Sequence, residues 1–580
     1  MKKYITIISM FAAGFAFADD ENYDGKSVSG DFSGKSMNYS SWVNATVNSN
    51  FTGTKLKESN FTKANGKSTF TNANLTDAIF DGANFAKSDF SNATLTRASF
   101  KDATLAIESV EGVSFKGSKL EYANFNGAVL TSDRTTKGVD FSNCNLRNAD
   151  FSNTHLVYGD YGRAMVNFSN ADLTNAKFIN AKLALAGAYG VSLTFNNTIL
   201  DNVDFTGATL SQIYGTSVNF SDLVLRNVNF ANAILASRSN IGASGIVLKN
   251  TKLINCNFTG AIVGDTDAGV DFSNIDISNT SFKDAKFSSA VKLTDSIITN
   301  SDFSNVTGLT TSQLSQTASY KNKDLSGVKF NGLDLTNWIL RGQNLQNTSF
   351  AGANLTGVNA RYADLRGSDL TGITGSLKTQ NTIWTDGEIK NFAMESVDDN
   401  LTIRKYEPAT SGGATINAKI VDDASISGGA VLTLEQGAVL EIASGKTLSV
   451  LDDSEIIFNV DAATDATKIL LGENSKLVFG SDSKITINLD GVASSDDSYT
   501  FSVIESAAGA QVTGTDSLKK ENVVLNVNGE TFDSSKWTLD FDSSTGSFNI
   551  NVNVPEPAEY AAILGAIAIA FALKRRCSRK

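Results

Sequence analysis

Residues 70–105 read FTNANLTDAIFDGANFAKSDFSNATLTRASFKDATL. Bulky apolar side chains fall at Phe70, Leu75, Phe80, Phe85, Phe90, Leu95, Phe100 and Leu105. A small residue stands two positions before each from Leu75 onward: Ala73, Ala78, Ala83, Ser88, Ala93, Ala98 and Ala103. A period of five fits neither the 3.6 of a helix nor the 2 of a strand, so neither element would keep these residues on one face. The chain must instead turn a corner about every five residues. Each bulky side chain withdrawn from water contributes roughly 1.5–3 kcal/mol, and successive coils stack at the strand spacing of about 4.8 Å. One coil cannot fold alone, but many can.

The same unit stands almost literally at Ala171-Asp172-Leu173 and Ala353-Asn354-Leu355. It resembles the A-(D/N)-L-x-x unit of the pentapeptide-repeat family, and the resemblance covers residues 51–375. It implies an all-β fold for this part: a right-handed quadrilateral β-helix, four units to a coil, with bulky and small residues pointing inward. Residues 19–50 are expected to be an N-terminal lead-in or cap. The period breaks across 304–324, where Thr311, Ser312, Gln313 and Leu314 predict a short capped helix, and it resumes at Leu325.

A longer repeat lies inside the first. Coils start at Phe115, Phe141, Phe168, Phe195, Phe220, Leu248, Phe272 and Leu293, at intervals of 21 to 28 residues where four units need 20. The surplus follows the fourth unit each time, so the insertions, over 131–270, are expected to leave at one corner and stack into a ridge. The small inward position at each coil start holds Val113, Val139, Val166, Leu193, Val218, Ile246, Val270 or Val291 in place of Ala. These predict an aliphatic ladder beneath the corner. The loops carry Tyr158, Tyr161, Arg163, Tyr189, Tyr214, Arg238 and Asp267, a candidate contact ridge for an extracellular glycan or protein, because aligned insertions often mark a binding face. Loop tips that simply tolerate such residues are the plainer account.

Composition points away from chemistry. The 580 residues include 46 Gly, 36 Phe, 3 Pro and a single His, the profile of a repetitive β-rich chain. The net charge of −12 becomes −19 without Lys2, Lys3 and the five basic residues after Leu573, which excludes nucleic acid phosphates as a partner. Cys144 and Cys256 occupy small inward positions four coils apart, about 19 Å, beyond the roughly 7 Å of a disulfide. His155 precedes Leu156 and is expected to face solvent. No cofactor, metal set or catalytic acid–base pair is indicated. Rows of acids such as Asp140, Asp150, Asp172, Asp204 and Asp271 could hold a cation, or could form a solvated face stabilised by side-chain hydrogen bonds.

From about residue 380 to 553 the composition shifts to short alternating strands, at Val431–Leu434, Val439–Ile442, Leu448–Leu451, Ile456–Val460, Leu477–Phe479 and Ile485–Leu489. Further strands are expected near Val523–Val527, Trp537–Phe541 and Phe548–Val552. A second β-solenoid and a sandwich both remain open for this region.

Both termini carry targeting patterns. Residues 1–18 read as a secretory signal, with Lys2 and Lys3, an apolar run and Ala16-Phe17-Ala18 as cleavage site. Residues 554–580 contain Pro555-Glu556-Pro557, an apolar run from Ala561 to Leu573 read as a transmembrane helix, and a basic tail. This order resembles the PEP-CTERM sorting signal. The resemblance implies recognition of Pro555, Glu556 and Pro557 by an exosortase-like peptidase, and a membrane-anchored or surface destination. The expected function is an exported structural or adhesive repeat protein without catalytic activity. The competing expectations are a nucleic-acid mimic that binds type II topoisomerases, as some of the repeat family do, and a glycan-active β-helix enzyme.

Overall fold

The computed structural model describes residues 21–107, 111–131, 138–156, 166–184, 193, 195–211, 217–236, 245–451, 453–462, 466–492, 498–514, 520–532, 537–542 and 547–553. The chain forms two compact units, Met1–Asn322 with Val328–Leu333, and Lys323–Gly327 with Asp334–Lys580.

In the first unit the five-residue unit is a side and a corner. At a typical corner Ala73 N–H donates to Phe70 O at 3.0 Å, and Asn72 takes φ 58°. That left-handed position suits Asn, Asp and Gly, which explains their recurrence between the apolar residues. Each side then pairs with the next coil in parallel, as in Asn74↔Thr94, Ile79↔Ser99 and Asn84↔Thr104. Pairing is already present at Asn22↔Ser41 and between β1 (Ser27–Asp31) and β2 (Thr46–Asn50). The segment expected as a lead-in therefore stacks coil on coil like the residues after it. Longer sides form β3 (Val224–Arg226) and β4 (Lys252–Ile254), which pair in parallel, and a hairpin of β5 (Gly264–Asp265) and β6 (Ala268–Gly269).

The interior is ordered by the alternation of Phe and Leu. With four units per coil, every second bulky residue lands on opposite sides, so Phe occupies two facing columns. One runs Phe51, Phe70, Phe90, Phe115, Phe141, Phe168, Phe195 and Phe220; the other runs from Phe61 through Phe80, Phe100, Phe125, Phe151, Phe178, Phe205, Phe230, Phe258 and Phe282 to Phe303. Within a column neighbouring rings stack at 4.5 to 5.6 Å. Across the axis the columns meet edge to face, as Phe115 does with Phe125 at 5.6 Å. Both geometries suit the ring quadrupole. Where the period breaks, the expected short helix α1 (Thr311–Leu314) appears, closed by a capping box between Thr310 and Gln313, and a second short helix, α2 (Ala318–Lys321), follows it. Gln313 donates through Nε2 to Ser288 O and Val291 O, both at 2.9 Å, satisfying carbonyls of the coil beneath.

The second unit opens with the same corner-and-side coils, paired through Asp324↔Asn344↔Asp364↔Ile383. It continues as a three-sided parallel solenoid. The first coil is β7 (Glu388–Ile389), β8 (Ala393–Met394) and β9 (Asn400–Ile403); the second is β10 (Ala418–Ile420), β11 (Ala424–Ile426) and β12 (Val431–Leu434). The third is β13 (Val439–Ile442), β14 (Thr447–Val450) and β15 (Glu455–Asp461); the fourth is β16 (Lys468–Leu471), β17 (Lys476–Phe479) and β18 (Lys484–Asp490). A fifth, β19 (Ser498–Ser506), β20 (Gln511–Thr513) and β21 (Val523–Val527), is followed by β22 (Glu530–Thr531), β23 (Trp537–Asp542) and β24 (Ser547–Asn553). Each strand from β7 to β18 pairs in parallel with the strand three ahead, and the last strands add antiparallel pairs, β21 with β22 and β24 with both β19 and β23. This decides between the two architectures left open by the sequence: region 380–553 is a solenoid ended by hairpin strands. Its core is mainly aliphatic, with Leu432, Leu440, Leu448, Ile456, Ile469, Leu477 and Ile485 buried alongside Phe392, Phe458, Phe479 and Phe501.

Candidate functional site

The loop corner of the first unit is built as a series of necks. Val113 N–H donates to Leu105 O at 3.0 Å, Val139 to Leu130 at 3.2 Å, Val218 to Leu210 at 3.0 Å, Ile246 to Leu235 at 2.9 Å and Val270 to Val263 at 3.0 Å. Every one of these insertions leaves after the fourth side and returns at the next coil start. The aliphatic residues at the coil starts, Val113 through Val291, are all buried and form the ladder beneath the corner. Glycine precedes four of them. A Cβ on Gly112 would stand 2.7 Å from Gly138 C, on Gly245 2.8 Å from Gly269 O, and on Gly269 2.4 Å from Ala290 C. The necks therefore pack backbone on backbone.

Of the candidate ridge residues, Asp267 lies in the turn between β5 and β6, and Asp265 beside it pairs with Lys286 at 2.8 Å. Tyr158, Tyr161, Arg163, Tyr189, Tyr214 and Arg238 lie outside the described residues, as do Ala16, Ala18, Pro555, Glu556, Pro557 and the Ala561–Leu573 run. Among the described residues no helix is long and apolar enough to cross a membrane.

The acidic rows are engaged in hydrogen bonds. Asp140 Oδ1 accepts from Ser142 N–H and Asn167 Nδ2, both at 2.9 Å. Asn175, Asn202 and Asn227 each donate through Nδ2 to the Asn one coil earlier, at 3.1, 3.0 and 2.9 Å. Among the described residues no group of three His, Cys, Asp or Glu is placed to hold a metal. Cys144 and Cys256 are buried and free, and burial pushes their thiols up to about 12 and about 11. His155 differs from expectation: it is half-buried beside Lys182, and burial followed by that cation lowers its pKa.

Sequence reasoning missed two features of the second unit. One is a buried ion pair, Arg366 to Asp364 at 2.6 Å, both sealed from solvent. Arg366 also donates to Ile416 O at 2.9 Å and Arg404 O at 2.6 Å, so it straps the segment between β9 and β10 onto a coil. Gln346 adds a bond to Asp364 Oδ2 at 2.8 Å, which satisfies the remaining lone pair of a carboxylate that burial would otherwise penalise.

The other is a groove of about 690 Å³, lined by Asn344, Arg404, Lys405, Glu435, Gln436, Asn459, Asn488, Asp490, Asn526 and Gly529. Five of these form one column. Leu434 pairs with Ile403 and Phe458, so the next positions outward are Arg404, Glu435 and Asn459, and Asn459 pairs in turn with Asn488 and Asn488 with Asn526. Asn488 Nδ2 donates to Asn459 Oδ1, and Asn526 Nδ2 to Asn488 Oδ1, both at 2.7 Å. Arg404 approaches Glu435 only to 3.7 Å, and burial pushes the Glu435 carboxyl up against the pull of that guanidinium.

Two family models match the chain. The one described as a pentapeptide repeat region covers 31–125, and the one described as pentapeptide repeats (8 copies) covers 137–160, 165–186, 198–236, 268–305 and 340–372. No curated protein matches. Among solved structures, HetL, a pentapeptide repeat protein involved in heterocyst differentiation regulation from the cyanobacterium Nostoc sp. strain PCC 7120, is 17% identical, with 65% of this chain and 94% of that one covered at a TM-score of 0.14. QnrB1, a plasmid-mediated fluoroquinolone resistance protein, is 17% identical over 41% of this chain and 91% of its own, at a TM-score of 0.15. At those TM-scores the likenesses carry no argument.

Proposed function

Because this chain is a pentapeptide-repeat protein, we propose that it is a non-catalytic binding scaffold, exported and sorted to the envelope or surface, whose contact face is the ridge of aligned loops. The observation that carries the contact face is the row of necks: insertions of different length leave one corner in successive coils, over a buried aliphatic ladder. A chain that merely tolerated insertions would scatter them over all four corners. Export and sorting are supported by the signal-like 1–18 and by the Pro555-Glu556-Pro557, apolar and basic order of 554–580.

The test is a variant in which 132–137, 157–165, 185–192, 212–216 and 237–244 are each replaced by a short Asn-Gly turn. The expected outcome is an unchanged thermal midpoint, with retention on the host's own envelope and matrix fractions reduced at least tenfold. Undiminished retention removes the ridge from the proposal.

A second reading, the acidic mimic of a DNA duplex that binds a topoisomerase, is favoured by the net charge of −12 and by Asp at outward positions such as Asp140, Asp150 and Asp204. It requires a cytoplasmic chain, and inhibition of supercoiling by the purified protein would establish it.

A further inference from the structure

We propose that the groove of the second unit holds a linear polyhydroxylated chain, an oligosaccharide lying along the solenoid axis over the column Arg404, Glu435, Asn459, Asn488 and Asn526. The proposal deepens the reading of the molecule as a binding scaffold, by giving it a ligand class at a second place.

The geometry that points to it is repetition along a line. Five coils each contribute one outward polar side chain at the same register, so the column spans four coil steps, roughly 19 Å at the spacing of stacked strands. A globular partner has no reason to match such an array, whereas a chain of similar units does. The groove volume, about 690 Å³, is in the range of sites that bury most of a small ligand.

The chemistry of the column suits hydroxyl groups. A hydroxyl both donates and accepts, and the groove offers both functions side by side: the second N–H and second lone pair left on the amides of Asn459, Asn488 and Asn526 after the rung bonds and the 2.9 Å bond from Thr531 Oγ1 to Asn526 Oδ1, the amide of Gln436, and the carboxylate of Glu435. Gln436 reaches another side chain only at 3.4 Å, through Nε2 to Asp490, and Asn459 Nδ2 donates to no protein group among the described residues. The 2.7 Å bonds between rungs hold the three Asn rotamers before any ligand arrives, so less side-chain freedom is lost on binding. A phosphate or nucleic acid backbone fits less well, since Glu435 and Asp490 offset Arg404 and Lys405 in the same groove. An asparagine ladder also stabilises a solenoid by itself, so the test leaves the ladder intact and changes the groove's other polar groups.

The experiment is affinity electrophoresis of the full chain in gels containing one of three soluble linear polysaccharides: a β-1,4-linked neutral glucan derivative, a polyuronate or an α-linked dextran. The proposal expects retardation by at least one, and at least a tenfold weaker effect for a Glu435→Gln, Gln436→Ala double variant of unchanged thermal midpoint. Retardation should persist in the loop-replaced variant, which separates failure of the groove from failure of the ridge. Two results overturn the proposal: no retardation with any polysaccharide, or retardation that the double variant keeps in full. Should the double variant not fold, Gln436→Ala alone gives the same comparison at a solvent-facing position.

Discussion

Phe125 stacks on Phe100 at 5.1 Å and on Phe151 at 4.9 Å, and meets Phe115 and Phe141 edge to face. Four aromatic neighbours from coils above, below and across the axis leave no room for the site to collapse. Phe125→Ala should therefore cost about 3–5 kcal/mol, read as a large fall in the urea midpoint. Cys144 makes a useful contrast. Its thiol lies at 2.9 Å from Phe115 O and fills a position that Ala holds in the coils at Ala73, Ala93 and Ala171, so Cys144→Ala should change the midpoint little, by under about 1.5 kcal/mol. Burial holds the thiol near 12, so iodoacetamide should not label Cys144 in the native protein at pH 8, and labelling there would contradict its placement. These positions were legible in the sequence because each side of a coil admits one bulky and one small inward residue. The half-burial of His155 was not legible, since it depends on Lys182 one coil away rather than on its own unit.

At the scale of elements, legibility follows regularity of coil length. In the first unit the corner residue, the small residue and the bulky residue repeat at fixed offsets, so the insertions stand out as surplus and their exit corner can be counted. In the second unit the rungs of the asparagine ladder are 29 and 38 residues apart, and the strands between them vary in length. No fixed period marks the column, and alternation alone could not tell a solenoid from a sandwich. The strap of Arg366 was hidden for a related reason: its partners Arg404 O and Ile416 O are backbone groups, which leave no trace in side-chain pattern. The glycines at the necks make an element-scale prediction. At Gly269 a side chain would meet the backbone of Ala290, so Gly269→Val should destabilise by roughly 1–3 kcal/mol. The same change at Gly342, where a Cβ meets nothing within 4 Å but φ is 68°, should act only through backbone strain. Equal stability of Gly269→Val and the parent in a thermal melt would mean the necks are not closely packed.

For the molecule as a whole, the two units share one construction principle, parallel pairing of each coil with its neighbours, but present different surfaces. The first has a corner of closely packed necks over an interior of stacked phenylalanines, and the second an axial groove over a mainly aliphatic core. Both are extended arrays of repeated side chains along the stacking direction. Destination enters through the terminal patterns, which are a matter of sequence. The most direct measurement of the central claim is the intact mass of the protein recovered separately from the envelope and the medium of its native host. The account predicts loss of residues 1–18 from both, and loss of the segment after Pro557 from the sorted form. A full-length chain found in the cytosol would contradict it.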